Sequence, residues 1–102
     1  MSIREMKGKR RAFLYIDVST GKEKAFAEKL LRYDEVTEVH LVMGEYDVFA
    51  VLEFDLYGKA LFASPQEIIS KFVLDKIRKL REVKDTSTLI PTFSYVREES
   101  DK

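Results

Sequence analysis

Between Tyr46 and Phe54 the chain reads YDVFAVLEF, and this stretch is apolar at both parities of an extended strand. Val48, Ala50, Leu52 and Phe54 fall on one face, Phe49 and Val51 on the other. A strand of this kind has to be covered twice, so it belongs in the middle of a sheet. The rest of the chain must be arranged around it. At 102 residues there is enough for one domain with a single modest core.

The neighbours supply the arrangement. Arg11 to Val18 (RAFLYIDV) reads as a first strand, with Leu14, Ile16 and Val18 on one side and Phe13, Tyr15 and Asp17 on the other. Thr20 and Glu23 have capping-box spacing and open a helix whose inward set is Phe26, Ala27, Leu30, Leu31 and Tyr33. After Asp34-Glu35 comes a second strand, Val36 to Met43, with Val39, Leu41 and Met43 on one face and His40 and Val42 on the other. Gly44-Glu45 is the expected hairpin turn into the third strand. An apolar loop, Asp55 to Ala63, leads to Ser64-Pro65-Gln66-Glu67, a second capping box with Pro at the first helical position. The helix it opens runs to about Arg81, with Ile69, Phe72, Val73, Ile77 and Leu80 inward. The last strand is Thr86 to Val96, and Pro91 within it confines it to a sheet edge.

This order, β-α-β-β-α-β, defines an α+β fold. It predicts a ferredoxin-like sandwich: a four-stranded antiparallel sheet with two helices on one face, the first and third strands central and the last at an edge. The sheet face left without helices still carries Phe13, Tyr15 and residues of the third strand. An apolar face of that kind predicts a homodimer packed sheet to sheet. The domain is expected over residues 11–96, between a basic N-terminal tail, 1–10, and a polar C-terminal tail, 97–102.

Composition narrows the function classes. Hydrophobic residues at 45% and charged residues at 35% describe a folded, soluble chain. Eighteen basic residues balance eighteen acidic ones, which argues against a dedicated nucleic-acid binder. The one local excess, Lys7, Lys9, Arg10 and Arg11, reads as a solvated tail or as a phosphate-contacting arm. There is no transmembrane run, and MSIREMKGKRR has no secretory h-region, so a cytoplasmic location is expected. The absence of Cys removes disulfides, thiolate zinc sites and cysteine nucleophiles. Together with the richness in Lys and Glu and the short linkers it fits a thermophile source.

Recognisable catalytic chemistry is missing. His40 is the only histidine and has no HxxH or HxH partner, so no metal site is expected. No G-x-S-x-G, GxGxxG or Walker loop occurs, and no cofactor is implied. The carboxylate pairs Asp34-Glu35 and Glu98-Glu99 close a helix and lie in the tail. The unusual feature is the hairpin VMGEYDVF, where a turn that needs only a glycine and a polar residue also carries a tyrosine and two carboxylates. As plain structure Gly44 is only a turn, Tyr46 packs between subunits and Asp47 satisfies hairpin backbone.

With these elements placed, EVTEVHLVMGEYDVFAVLEF resembles the signature of the Lrp/AsnC effector-binding (RAM) domain, in which Gly-(Asp/Glu)-Tyr-Asp forms the hairpin. REVKDTSTLIPTF is similar to that family's closing segment, and AFLYIDVSTGKEKAFAEKL matches its opening in kind; the resemblance covers about residues 12–96. It implies a dimer or a tetramer of dimers that binds a small effector, commonly an amino acid, near the hairpin. The ligand contacts it implies are Met43, Gly44, Glu45, Tyr46 and Asp47, with Thr86 and Thr88 from the last strand. On that resemblance Gly44 would let a ligand carboxylate approach backbone amides, Asp47 would accept from an ammonium, and Tyr46 would offer an amphipathic wall. Only about ten residues precede the first strand here, too few for the family's helix-turn-helix. A stand-alone effector domain is therefore expected, one that regulates transcription by assembling with itself or with full-length regulators and does not read DNA sequence. Arg81-Glu82 stands where the family usually has Pro-Gly. Two other classes stay open: a dimeric α/β-barrel enzyme of the small-monooxygenase or haem-handling kind, and a ligand-free oligomerisation adaptor.

Overall fold

The computed structural model describes residues 2–5, 9–19, 21–55 and 64–98. Its main sheet contains β2 (Lys9–Val18), β3 (Val36–Leu41), β4 (Val48–Asp55) and β5 (Val83–Leu89), in the spatial order β3-β4-β2-β5 and antiparallel throughout. The two-faced strand β4 and the first sheet strand β2 are central, and β5 is an edge, as the sequence pattern requires. Helices α1 (Glu23–Leu30) and α2 (Pro65–Phe72) supply the second layer. Ala12, Leu14, Ile16 and Val18 of β2 and Val48, Ala50, Leu52 and Phe54 of β4 form one core with Phe26, Leu30, Ile69, Phe72, Val73 and Ile77 from the helical segments. Alternation on the strands and 3–4-residue spacing on the helices thus meet in a single apolar layer.

The helix starts differ. The Ser64 hydroxyl accepts from the Glu67 N–H at 3.1 Å, the first half of the expected capping box, and Pro65 follows it. At α1 the cap position is Lys22, which makes no side-chain cap, and the Glu23 carboxylate accepts from the Gly21 N–H at 3.2 Å. Thr20, the expected cap, lies outside the described residues. Leu31, expected inward, is 52% exposed because α1 ends at Leu30. The second helix leaves α geometry at Val73–Ile77, a π-helical turn in which the Arg78 N–H donates to the Val73 carbonyl at 2.9 Å. The turn keeps Phe72, Val73 and Ile77 all buried.

The chain ends correct the sequence reading. The segment expected as a basic N-terminal tail contains β1 (Ser2–Glu5), which pairs antiparallel with β6 (Tyr95–Glu98) as a two-stranded ribbon. Lys9 and Arg10, placed in that tail, open β2. The expected single last strand is two: β5 begins three residues early at Val83, stops at Leu89, and the chain is irregular through Pro91 until β6. Pro91 lacks the N–H a ladder needs, which is the physical reason for the interruption. The apolar loop 56–63 and the last residues 99–102 lie outside the described residues.

Candidate functional site

The hairpin between β3 and β4 is longer than a two-residue turn. β3 ends at Leu41, and β4 begins at Val48. The Val42 N–H donates to the Asp47 carbonyl at 3.0 Å, which closes the base of a loop whose tip is Met43 to Tyr46. Met43, expected on the strand, stands fully exposed at that tip. Gly44 has φ +139, a backbone conformation that side-chain-bearing residues rarely adopt, in open space.

Beneath the tip lies the helix-free face of the sheet. Tyr15 packs against Tyr46 with ring centroids 5.6 Å apart and against Phe49 at 5.0 Å. Phe49 also meets Phe13 at 5.8 Å and the His40 ring at 6.0 Å. Tyr15, Tyr46 and Phe49 are partly exposed, and with the hairpin and β5 they form a cleft of about 670 Å³. Its walls are Tyr15, Tyr46 and Phe49, the hairpin residues Val42, Met43 and Glu45, and Ser87 and Leu89 of β5. Amphipathic aromatic walls with a few polar groups at one end suit a small molecule that is part apolar and part polar.

The residues expected from the sequence divide. Met43, Glu45 and Tyr46 line the cleft, and Gly44 lies between them in the chain. Asp47 is engaged at the hairpin base instead. Its Oδ2 accepts from the Val18 N–H at 3.1 Å, and its own N–H donates to the Ile16 carbonyl at 3.1 Å. Thr86 and Thr88 are not at the cleft: they pair with Ile16 and Leu14, whose side chains face the helices. Directly opposed residues share a face, so it is Ser87, opposite Tyr15, and Leu89, opposite Phe13, that reach the aromatic side. Tyr15, Phe49, Val42, Ser87 and Leu89 were outside the expected set. The signal for the first two was present, since both belong to the uncovered face. The signal for Ser87 and Leu89 is the register between β2 and β5.

An acidic corner adjoins the hairpin base. Asp17 and Asp85 are opposed across β2 and β5, next to a register shift that leaves Lys84 as the extra residue. The Asp17 carboxyl also meets Asp47, and its pKa is raised above the ordinary value. The hydrogen bond to Asp47 is the main cause; desolvation and the charges of Asp47 and Asp85 add to it, and Lys84 opposes. His40 is exposed, with Nε2 3.0 Å from a Glu38 carboxylate oxygen. Among the described residues no group of three or more His, Asp or Glu is arranged to hold a metal ion. No helix among them is long and apolar enough to cross a membrane.

Fold and cleft together define a small α+β domain that presents a ligand-sized aromatic cleft on a sheet face. Residues 11–100 match the Lrp/AsnC ligand binding domain, and the chain belongs to that family. It is 36% identical over 77 residues to an uncharacterized HTH-type transcriptional regulator of Pyrococcus horikoshii, a match spanning 76% of this chain and 45% of that protein. The chain thus spans less than half the length of the curated relatives it matches. Among solved structures it is similar to FFRP-DM1, with 34% identity and a TM-score of 0.66, covering 80% of this chain and 97% of that one. A transcriptional regulator of Neisseria meningitidis solved as a complex with L-Met shares the fold, with 22% identity, a TM-score of 0.61, and coverage of 91% of this chain and 53% of that one. The matched family describes a ligand-binding domain, and the curated relatives that carry it are HTH-type transcriptional regulators.

Proposed function

We propose that this domain senses a small zwitterion, in the first instance an amino acid, in the cleft between the hairpin tip and the outer sheet face. The aromatic wall of Tyr15, Tyr46 and Phe49 carries the reading, because it offers apolar contact for a ligand side chain. Glu45 supplies an acceptor for the ammonium, and Ser87 adds a hydroxyl from β5. The backbone amides around Gly44 are open to a carboxylate because no Cβ stands in the way there. Asp47, engaged with the Val18 N–H, acts as the clamp that aims the hairpin and so replaces the ligand contact expected of it from the sequence. The cleft volume lies in the usual range for small-molecule sites, about 300–1,000 Å³. The L-Met complex of the Neisseria meningitidis regulator supports an amino acid as the class of ligand.

Occupancy is passed on through assembly. The aromatic face that continues from the cleft, with Phe13 and Leu89, is the surface on which a second copy packs, and further copies or full-length regulators of the family join the dimer. A ligand that binds one assembly state better shifts the population toward it. Calorimetric titration of the common amino acids, with light scattering before and after, tests this reading. Saturable binding by one of them, weakened about tenfold or more in Glu45→Gln with an intact dimer, is expected, the loss typical of a charge-assisted contact. The same exposed aromatic face also suits a ligand-free adaptor. A stable dimer that binds nothing across the panel would establish that alternative.

A further inference from the structure

A second cleft shares no lining residue with the first and plays no part in the effector reading. It has a volume of about 630 Å³ and is lined by Ser19, Lys22, Lys29, Lys79, Leu80, Arg81 and Glu82. The fold builds it where three segments meet: the end of β2, the start of α1, and the turn between the π-helical segment and β5. Two backbone bonds fix that junction, Ser19 N–H to the Glu82 carbonyl at 3.0 Å and Lys22 N–H to the Ser19 carbonyl at 3.2 Å.

The charge here is out of keeping with the rest of the chain. The whole sequence is neutral, with 18 basic and 18 acidic residues, yet four cations face one carboxylate in this cleft. That carboxylate is already engaged: Lys29 Nζ lies 2.7 Å from Glu82 Oε2, and the contact lowers the Glu82 pKa. Lys79 and Arg81 have no acidic partner among the described residues. Like charges gathered in a concave site raise the local potential and draw in counter-ions. A single monovalent anion is far smaller than the space, and Leu80 adds an apolar wall.

We propose that this cleft binds a multiply charged, phosphate-bearing small molecule, held by Lys22, Lys79 and Arg81. Arg81 supplies a planar fork for two phosphate oxygens and the lysines act as point charges. The Lys29–Glu82 pair ties α1 to the turn before β5 beside them.

The test is an NMR titration of the full chain with inorganic pyrophosphate at constant ionic strength. Saturable shifts of the Ser19, Lys22 and Glu82 amides are expected. Lys79→Gln/Arg81→Gln should lower the affinity at least fivefold. Lys24→Gln/Lys71→Gln, which removes two exposed charges outside the cleft, should leave it unchanged. Shifts that follow sodium chloride equally, or an equal loss in both double variants, would overturn the site. So would a short DNA duplex that displaces pyrophosphate from these amides, because it would make the cleft part of a nucleic-acid surface.

Discussion

The two faces of the central sheet are made from the same strands and behave as different materials. Toward the helices, β2 and β4 present Ala12, Leu14, Ile16, Val18, Val48, Ala50, Leu52 and Phe54, all buried and mostly aliphatic. Away from the helices the same strands present Phe13, Tyr15 and Phe49, partly exposed and aromatic, around a buried Val51, and end in the carboxyl group of Asp17. Aliphatic side chains fill space closely and define the fold. Aromatic rings keep a large contact area when only partly covered, and they accept a partner or a ligand without a rebuilt core. On the function proposed above, stability belongs to one face and recognition to the other.

The largest effect that can break this division is expected on the inner face. Leu52 is fully buried in β4. Truncation by Leu52→Ala removes its packing and leaves a cavity, at a cost of about 2–5 kcal/mol. That is a large part of the ~5–15 kcal/mol that holds a domain of this size. Denaturant unfolding measures it. A loss below 1 kcal/mol would mean that the helix layer is not the main core.

The outer face should respond in the other way. Phe49→Ala removes ring contacts to Phe13, Tyr15 and His40 but no fully buried volume. The expected cost in monomer stability is ~1–2 kcal/mol, while ligand binding and dimer formation fall together. A variant that unfolds as readily as Leu52→Ala would erase the distinction between the faces. Gly44→Ala should cost less again. The substitution meets no neighbouring atom, so the penalty is backbone strain alone, about 1 kcal/mol. Its signature is weakened ligand affinity with near-normal unfolding.

The inner face was readable because its information is local. The alternation in RAFLYIDV and YDVFAVLEF fixes which residues face the helices, and Ser64-Pro65 announces the start of α2. The central places of β2 and β4 follow from the topology and from burial on both sides of β4. The outer face depends on information that is not local. Thr86 and Thr88 attract notice as polar residues in a strand, but only the pairing of Tyr15 with Ser87 decides which parity meets the cleft. Nothing near Asp47 in the sequence shows that the Val18 N–H, 29 residues earlier, reaches its Oδ2. The β1–β6 ribbon joins residues from the two ends of the chain, and the short polar segment Ser2–Glu5 carries no strand signal of its own.

The smallest expected effect distinguishes the faces by pH. Asp17 stands on the outer face with its carboxyl against Asp47 and opposite Asp85, with Lys84 the one opposing charge among the groups that act on it. Its pKa in the folded chain lies above the ordinary value of 3.8, so the native state holds the Asp17 proton more tightly than the unfolded chain does. The contribution is therefore fully present below the unfolded pKa and is lost as pH rises through the folded one. Asp17→Asn removes the titration and keeps an amide that can donate to Asp47. The variant should match the parent most closely in acid and gain on it as pH rises toward neutrality. The gain should vanish when Asp47 is also replaced by Ala, since the Asp47 contact is the main cause of the shift. Urea unfolding of the parent, Asp17→Asn and the two Asp47→Ala counterparts across the acid-to-neutral range reads this directly. A constant offset at every pH would show that Asp17 acts through packing, and the acidic corner would then lose its part in the contrast. Leu52→Ala provides the reference, because an aliphatic truncation on the inner face removes no proton-binding group and should lower stability by the same amount across that range.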